Sequence, residues 1–334
     1  MDNVEIVAAC DIIPERAEEV ARRMGAKYTF TDYKELLKLP EIDAVDICTP
    51  NYLHSVIAVD AFAAGKHVHC EKPDAVSAAE QMKMLEAAQK AGKVLVVMRN
   101  NRFTSGSRFL KSFIDQGQAG EIYAARCGWV RRRGIPGKGG WFTTKAQSGG
   151  GPLIDIGTHA LDLTLWMMDN YKPKAVLGST FKKLGNQTET GNAWGDWDPK
   201  EFTVEDSAFG FVTMENGATI ILESSWALNT LDVREAQTTL CGTLGGADMA
   251  DGLRFNKVEW GKQCVQKPDL SGGGVAFYDG ASSGDPAEVE CAQWLNAVLN
   301  DKTPLVLPEQ ALVVTQILEA IYTSAKTGKA VYFE

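Results

Sequence analysis

The sequence predicts an α/β protein in two parts. A doubly wound parallel sheet occupies residues 1–103, and an α+β domain with a large open, mostly antiparallel sheet occupies residues 104–334, its C-terminal helices packing back. Three observations carry this. Short apolar, β-branched runs alternate with helix-period segments through the first hundred residues. Beyond residue 103 the runs lengthen and alternate with polar positions. The length, 334 residues, is about two domains at roughly 150 residues apiece.

The first run, Val4–Ala9, leads into Cys10-Asp11. Pro14 suits the first turn of a helix over Pro14–Met24, which Gly25 ends. A short strand around Lys27–Thr29 precedes a helical segment at Tyr33–Leu37. Ala44–Cys48 reads as the next strand, and His54–Ala64 as a helix stopped by Gly65. Val68–Cys70, the helix Ala78–Ala91 with Gly92 behind it, and Val94–Met98 complete this half. Strands apolar on both faces and separated by helices belong to a parallel sheet covered on both sides.

The second half opens with a helix near Ser107–Gln116. Strands follow at Ile122–Val130, Ala175–Phe181, Ser207–Met214, Ala218–Trp226 and Gln237–Gly242. Asn216-Gly217 between two of these runs is a hairpin signal. One helix, Leu153–Met168, is inserted among the strands, and Pro286–Leu299 and Pro308–Thr327 close the chain. Gly185–Asp198 and Ser271–Asp285 read as surface loops.

Composition excludes several classes. The net charge is −9, and the one dense basic cluster is Arg131-Arg132-Arg133, so no nucleic-acid partner is expected. No run approaches the ~18 apolar residues of a membrane span. The opening Met1-Asp2-Asn3-Val4-Glu5 lacks a signal-peptide pattern. The cysteines number seven, with no C-x-x-C pair, which points to reduced thiols in a cytoplasmic protein. His67 and His69 would share one strand face with Cys70 on the other, so no metal site is expected.

Three segments carry chemistry. Cys48-Thr49-Pro50-Asn51-Tyr52-Leu53-His54 follows a parallel strand and opens a helix, where doubly wound sheets bind ligands. It reads equally as a plain loop with Asn51 as helix cap. Glu71-Lys72-Pro73 places a cation at a strand exit, either aimed into the crevice or simply solvated. Ser148-Gly149-Gly150-Gly151 runs into a helix on which Asp155 and His159 are four apart and share a face. A carboxylate beside an imidazole suits a general base; it also suits a helix-dipole partner beside an incidental histidine.

Together and in this order, these segments resemble the glucose–fructose oxidoreductase / inositol dehydrogenase family (Gfo/Idh/MocA). Its hallmarks are a strand-ending Asp for the cofactor ribose, a T-P-N-x-x-H loop, an E-K-P motif and a D-x-x-x-H helix. Here they read Asp11, with Ile12 beside it, Thr49-Pro50-Asn51-Tyr52-Leu53-His54, Glu71-Lys72-Pro73 and Asp155-Ile156-Gly157-Thr158-His159. Arg102-Phe103 and Ser324-Ala325-Lys326-Thr327-Gly328-Lys329 add smaller matches, and the resemblance spans essentially the whole chain.

The resemblance implies a Rossmann-type domain and an NAD(P)-dependent oxidoreductase moving a hydride between a sugar or polyol C–OH and nicotinamide. Lys72 would hydrogen-bond the reacting oxygen, His159 would take the hydroxyl proton, and Asp155 would orient the substrate or the base. Asp11, Ile12, Thr49, Pro50, Asn51, His54, Glu71 and Lys72 fall on the cofactor side. A 2′-phosphate would meet the charge of Asp11, which favours NAD over NADP, with Arg16 nearby as the opposing feature. Of Trp129, Trp141, Trp194 and Trp197, Trp141 is the expected sugar platform. A non-catalytic sensor on the same fold and a family member that uses NAD transiently to cleave glycosides are the other readings.

Two further expectations concern the whole chain. A Rossmann fingerprint sets G-x-G-x-x-G ~20 residues before its acidic residue, and Asp11 leaves no room for one. The chain therefore reads as N-terminally truncated, lacking the central first strand and glycine loop, on the order of 20–35 residues. Val4–Ala9 and Ala44–Cys48 would then stand apart or pair with each other, and NAD would bind weakly. The apolar runs Ala208–Val212 and Thr219–Leu222 predict a homodimer or homotetramer through the second sheet.

Overall fold

The computed structural model describes residues 4–137, 140–187, 189, 191–270 and 285–333. Its first half runs β1 (Ala8–Cys10), α1 (Pro14–Met24), β2 (Tyr28–Phe30), α2 (Tyr33–Leu37), β3 (Ala44–Ile47), α3 (His54–Ala63), β4 (His67–Cys70), α4 (Ala78–Ala91) and β5 (Leu95–Val97). All strand pairs here are parallel, in two sheets: β1 with β2, and β3-β4-β5. β1 and β3 do not pair. The first strand is shorter than its apolar run. β2 is three residues long and offers partners only to Ala8–Cys10, so Val4–Val7 lie outside the ladder. β2 itself lies one residue later than expected, because Lys27 and Tyr28 both donate their N–H to the Val7 carbonyl. Ile47, Ala58, Phe62, Val68, Cys70, Met84 and Leu95 form the core of this half.

The second half runs α5 (Ser105–Asp115), β6 (Ile122–Val130), α6 (Lys145–Ser148), a π turn (Leu153–Gly157) continuous with α7 (Thr158–Met168), β7 (Pro173–Phe181), β8 (Ser207–Met214), β9 (Thr219–Ser225), β10 (Arg234–Gly242), β11 (Gly245–Asp248), β12 (Arg254–Glu259), β13 (Lys262–Gln266), α8 (Pro286–Asn300), α9 (Pro308–Thr327) and β14 (Val331–Tyr332). The nine strands are ordered β13-β12-β11-β10-β6-β9-β8-β7-β14. The sheet is mixed: β6 and β9 run parallel at its centre, and the other neighbours are antiparallel. The Asn216-Gly217 turn joins β8 to β9, with Gly217 at φ 88°.

Two corrections follow. β11, β12 and β13 extend the sheet beyond the expected strands, and β14 closes it after the last helix. The expected single helix Leu153–Met168 changes winding at Thr158. The anticipated loop at Ser271–Asp285 lies outside the described residues except for Asp285, which caps α8 by accepting from Ala287 N at 2.9 Å.

α7 and α9 cover one face of the sheet. Leu161, Leu163, Leu165, Ile317 and Ile321 pack on Ala125, Cys127, Val212, Ile220 and Leu222. The last helices also reach back to the first half. Trp294 and Val306 join Val96 and Phe103 in one cluster, and α9 contacts α4 and β5. All seven cysteines are unpaired, and no helix among the described residues is long and apolar enough to cross a membrane.

Candidate active site

The chemistry-bearing loops of the first half leave the carboxyl ends of parallel strands, the ligand edge of such sheets. Asp11 follows β1, Thr49-Pro50-Asn51 follows β3, and Glu71-Lys72-Pro73 follows β4. The Lys72–Pro73 bond is cis. Lys72 bridges the two halves: its Nζ donates to Asp155 Oδ1 at 2.6 Å and to the Asp155 carbonyl at 3.1 Å. The other Asp155 oxygen accepts from Trp226 Nε1 at 2.9 Å. The carboxylate is thus held from both sides.

His159 lies four residues on, 6% exposed, with Nδ1 buried and unpartnered. The Trp129 ring is 5.6 Å away, centroid to centroid. Burial, then the charges of Lys72, Arg99 and Arg131, hold the imidazole well below its usual pKa. The ring is therefore neutral at pH 7 and able to accept a proton. The Asp155 carboxylate takes its hydrogen bonds from Lys72 and Trp226, and none from His159 is present. The helix winds as a π turn where Asp155 sits, and the lysine from the other half takes the carboxylate.

Two buried clusters fix this segment. At its start, Glu205 accepts from Gly151 N at 3.0 Å, Leu153 N at 3.1 Å and Tyr322 Oη at 2.8 Å. These backbone groups would otherwise lack partners at the head of a helix. The glycines here allow the close approach: a Cβ at Gly150 would lie 2.1 Å from Tyr322 Oη, and one at Gly151 2.1 Å from the Glu205 carbonyl. One turn past His159, Asp162 takes Arg102 bidentately at 2.7 and 2.8 Å and meets Arg99 Nε at 3.1 Å. Arg99 also pairs with Asp74, so the end of the first half is clamped onto α7.

The cofactor-side residues divide into two groups. Asp11 Oδ1 accepts from Ile13 N at 2.8 Å, and Ile12 is 85% exposed. Thr49 Oγ1 is buried without a partner, Pro50 precedes the 3₁₀ turn Asn51–Leu53, and Glu71 Oε2 accepts from Lys72 N at 3.1 Å. Asn51 and His54 also hold loops together. Asn51 Nδ2 donates to the Ser148 carbonyl at 2.8 Å, and Pro50, not Asn51, occupies the cap position. His54 is fully buried, with Nδ1 2.7 Å from the Pro73 carbonyl and Nε2 2.8 Å from the Thr49 carbonyl. Both ring nitrogens face backbone carbonyls, so the imidazole braces the Thr49 and Pro73 loops against each other.

Trp141 stacks on Phe142, centroids 4.0 Å apart. The residues missed by sequence reasoning are Trp129 as the neighbour of His159, Trp226, Glu205 and Arg131. Trp129 and Trp226 come together because β6 and β9 are parallel and finish at the same edge. Only that pairing could have signalled them, and it is not written in either strand.

Residues 1–99 match the GFO/IDH/MocA family model described as an oxidoreductase family with an NAD-binding Rossmann fold, and residues 107–248 match the GFO/IDH/MocA C-terminal domain. The D-glucoside 3-dehydrogenase of Escherichia coli is 32% identical over 331 residues, covering 99% of this chain and 90% of that one. Among solved structures, a levoglucosan dehydrogenase in complex with NADH and levoglucosan superposes with TM-score 0.83 at 24% identity, over 98% of this chain and 90% of that one. An NAD-binding oxidoreductase from Klebsiella pneumoniae superposes with TM-score 0.81 at 26% identity, over 98% and 90%.

Proposed function

The chain belongs to the GFO/IDH/MocA oxidoreductase family, and from that membership we propose that it is a cytoplasmic NAD-dependent dehydrogenase of a sugar or polyol C–OH. One observation carries the reading: Lys72 from the first half and Asp155 from the second meet at 2.6 Å, with the neutral imidazole of His159 on the same helical segment.

Lys72 has three ammonium donors, of which Asp155 takes two, leaving one for the reacting oxygen. A fixed cation there favours the developing alkoxide. His159 accepts the hydroxyl proton, and its burial keeps it in the accepting form. Asp155 aims Lys72, and Trp226 holds Asp155. On the cofactor side, the unpartnered Thr49 Oγ1 and the second oxygen of Asp11 fit ribose and amide groups of a dinucleotide. The nicotinamide, when bound, supplies the hydride acceptor. The Asp11 charge supports NAD over NADP, since a 2′-phosphate would face it. Likeness to a D-glucoside 3-dehydrogenase supports a carbohydrate substrate.

The test is a screen of sugars and polyols for NADH formation at 340 nm, run beside Lys72→Ala and His159→Ala. Turnover on a carbohydrate that both variants lose supports the reading. Turnover that neither variant impairs defeats it.

A further inference from the structure

Arg131 follows β6 directly, and its guanidinium lies 5.0 Å from the Trp129 ring centroid and 4.2 Å from that of Trp194. Trp129 in turn stands 5.6 Å from His159. The cation is thus one indole ring away from the proposed base. Among the described residues Arg131 makes no ion pair and no side-chain hydrogen bond. The carboxylates that influence it are Asp155, already engaged by Lys72 and Trp226, and Glu235 at the surface. Indole faces can hold a guanidinium but leave its in-plane N–H donors free.

Arg131 is also among the residues lining an open depression of about 620 Å³, with Val130, Arg132–Gly134, Trp194, Val233–Glu235 and Gln237. That volume suits a small ligand. Its lining carries four arginines and one glutamate. Arg234 is neutralised by Asp232 and Glu223, and Arg133 is engaged with Asn229. Arg132 is exposed, whereas Arg131 is half-buried, lines this depression and shares the Trp129 ring with His159. A partly buried guanidinium pays for its lost hydration and recovers it when an oxyanion arrives.

We infer that the substrate is an acidic sugar whose carboxylate or phosphate seats on Arg131, with the ring extending past Trp129 to His159. This rests on the dehydrogenase reading and adds the substrate's charge to it.

The experiment compares D-glucuronate and D-glucose 6-phosphate with D-glucose and methyl D-glucoside. Binding is followed by calorimetry with NAD present, and turnover by NADH absorbance, in wild type, Arg131→Met and Arg131→Lys. The expected result is tighter binding of at least one acidic sugar than of both neutral ones. Arg131→Met should cut that preference ratio by ~10–100-fold, and Arg131→Lys should cut it less. The two acidic probes separate carboxylate from phosphate recognition. Equal affinity for neutral and acidic sugars in wild type overturns the inference, and this comparison stands even if the variants do not fold. A ratio unchanged in Arg131→Met overturns it too, as does binding of acetate or inorganic phosphate as tight as that of the sugars. Arg131-dependent binding of an acidic sugar without oxidation upholds the anion subsite while defeating the dehydrogenase reading.

Discussion

If Lys72 and His159 act on the same oxygen as proposed, through different atoms, their variants should fail alike in rate and differ in pH dependence. Each Ala variant should lose kcat by ~10²–10⁴ with the fold intact, the usual worth of a general acid–base group. Asp155→Asn replaces one acceptor facing Lys72 or Trp226 by an amide donor, and turnover should fall there as well. A change in melting temperature alone would return Asp155 to a helix-end role. The lowered His159 pKa sets the rate profile: the base form persists below the ordinary imidazole value, so the acid limb of kcat/KM for oxidation should lie below ~6.5. The same burial has a stability consequence. Below ~6.5 the unfolded chain protonates this histidine and the folded chain does not, so its contribution, present above that pH, is lost as pH falls toward the folded value. In melts at several pH values, the stability of wild type relative to His159→Leu should fall on acidification below ~6.5. Parallel curves would show that His159 is not the buried neutral group described here.

At the scale of elements, the two buried carboxylates that dock helices give the sharper tests. Glu205 holds three donors at the head of the Asp155 segment. Glu205→Ala leaves them unpaired, at ~1–3 kcal/mol for each buried group, and should lower both urea stability and kcat. Glu205→Gln, still an acceptor, should do less. Glu290 on α8 accepts from Arg99 N, its Oε2 is buried without a partner, and burial pushes its carboxyl up to about 7. Its folded pKa exceeds the unfolded ~4.3, so its contribution is full at acid pH and disappears as pH rises toward 7. Glu290→Gln should therefore gain on wild type between pH 5 and 8 in thermal melts; no gain would place the group outside the buried interface. Helices with clear end signals were legible end to end: α1 and α9 open on a proline, α4 after the Ser77 cap, each stops at a glycine, and all three begin and end at the expected residues. β11, β12 and β13 were not, since they are short and two are largely polar, as in Lys262-Gln263-Cys264-Val265-Gln266. The site shows the same split. Lys72, Asp155 and His159 are readable as motifs, because each sits in a local turn-to-helix or strand-exit pattern. Trp226 and Glu205 depend on which strands become neighbours, and no local pattern encodes that.

At the scale of the whole molecule, the face of the nine-stranded sheet opposite α7 and α9 remains to be accounted for. Register places Leu177 beside Phe211 and Phe211 beside Ile221, and these are 52%, 46% and 37% exposed. Phe181 and Phe209 extend the row, their rings 6.1 Å apart. The apolar side chains are contiguous across three strands, unlike the scattered exposure normal for a monomer's surface. The flanking positions Glu223 and Arg126 carry charge on the same face, a polar margin around an apolar centre. A second copy of the chain, docking sheet to sheet, would cover the row on both partners at once, as a two-fold interface requires. We therefore predict a homodimer, or a homotetramer built from such dimers, at micromolar concentration by light scattering. Phe211→Glu should shift the protein to monomer while leaving its far-ultraviolet circular dichroism intact, because the side chain points away from the α7–α9 core. A wild-type monomer at that concentration defeats the prediction, and an oligomer indifferent to Phe211→Glu relocates the interface to another surface.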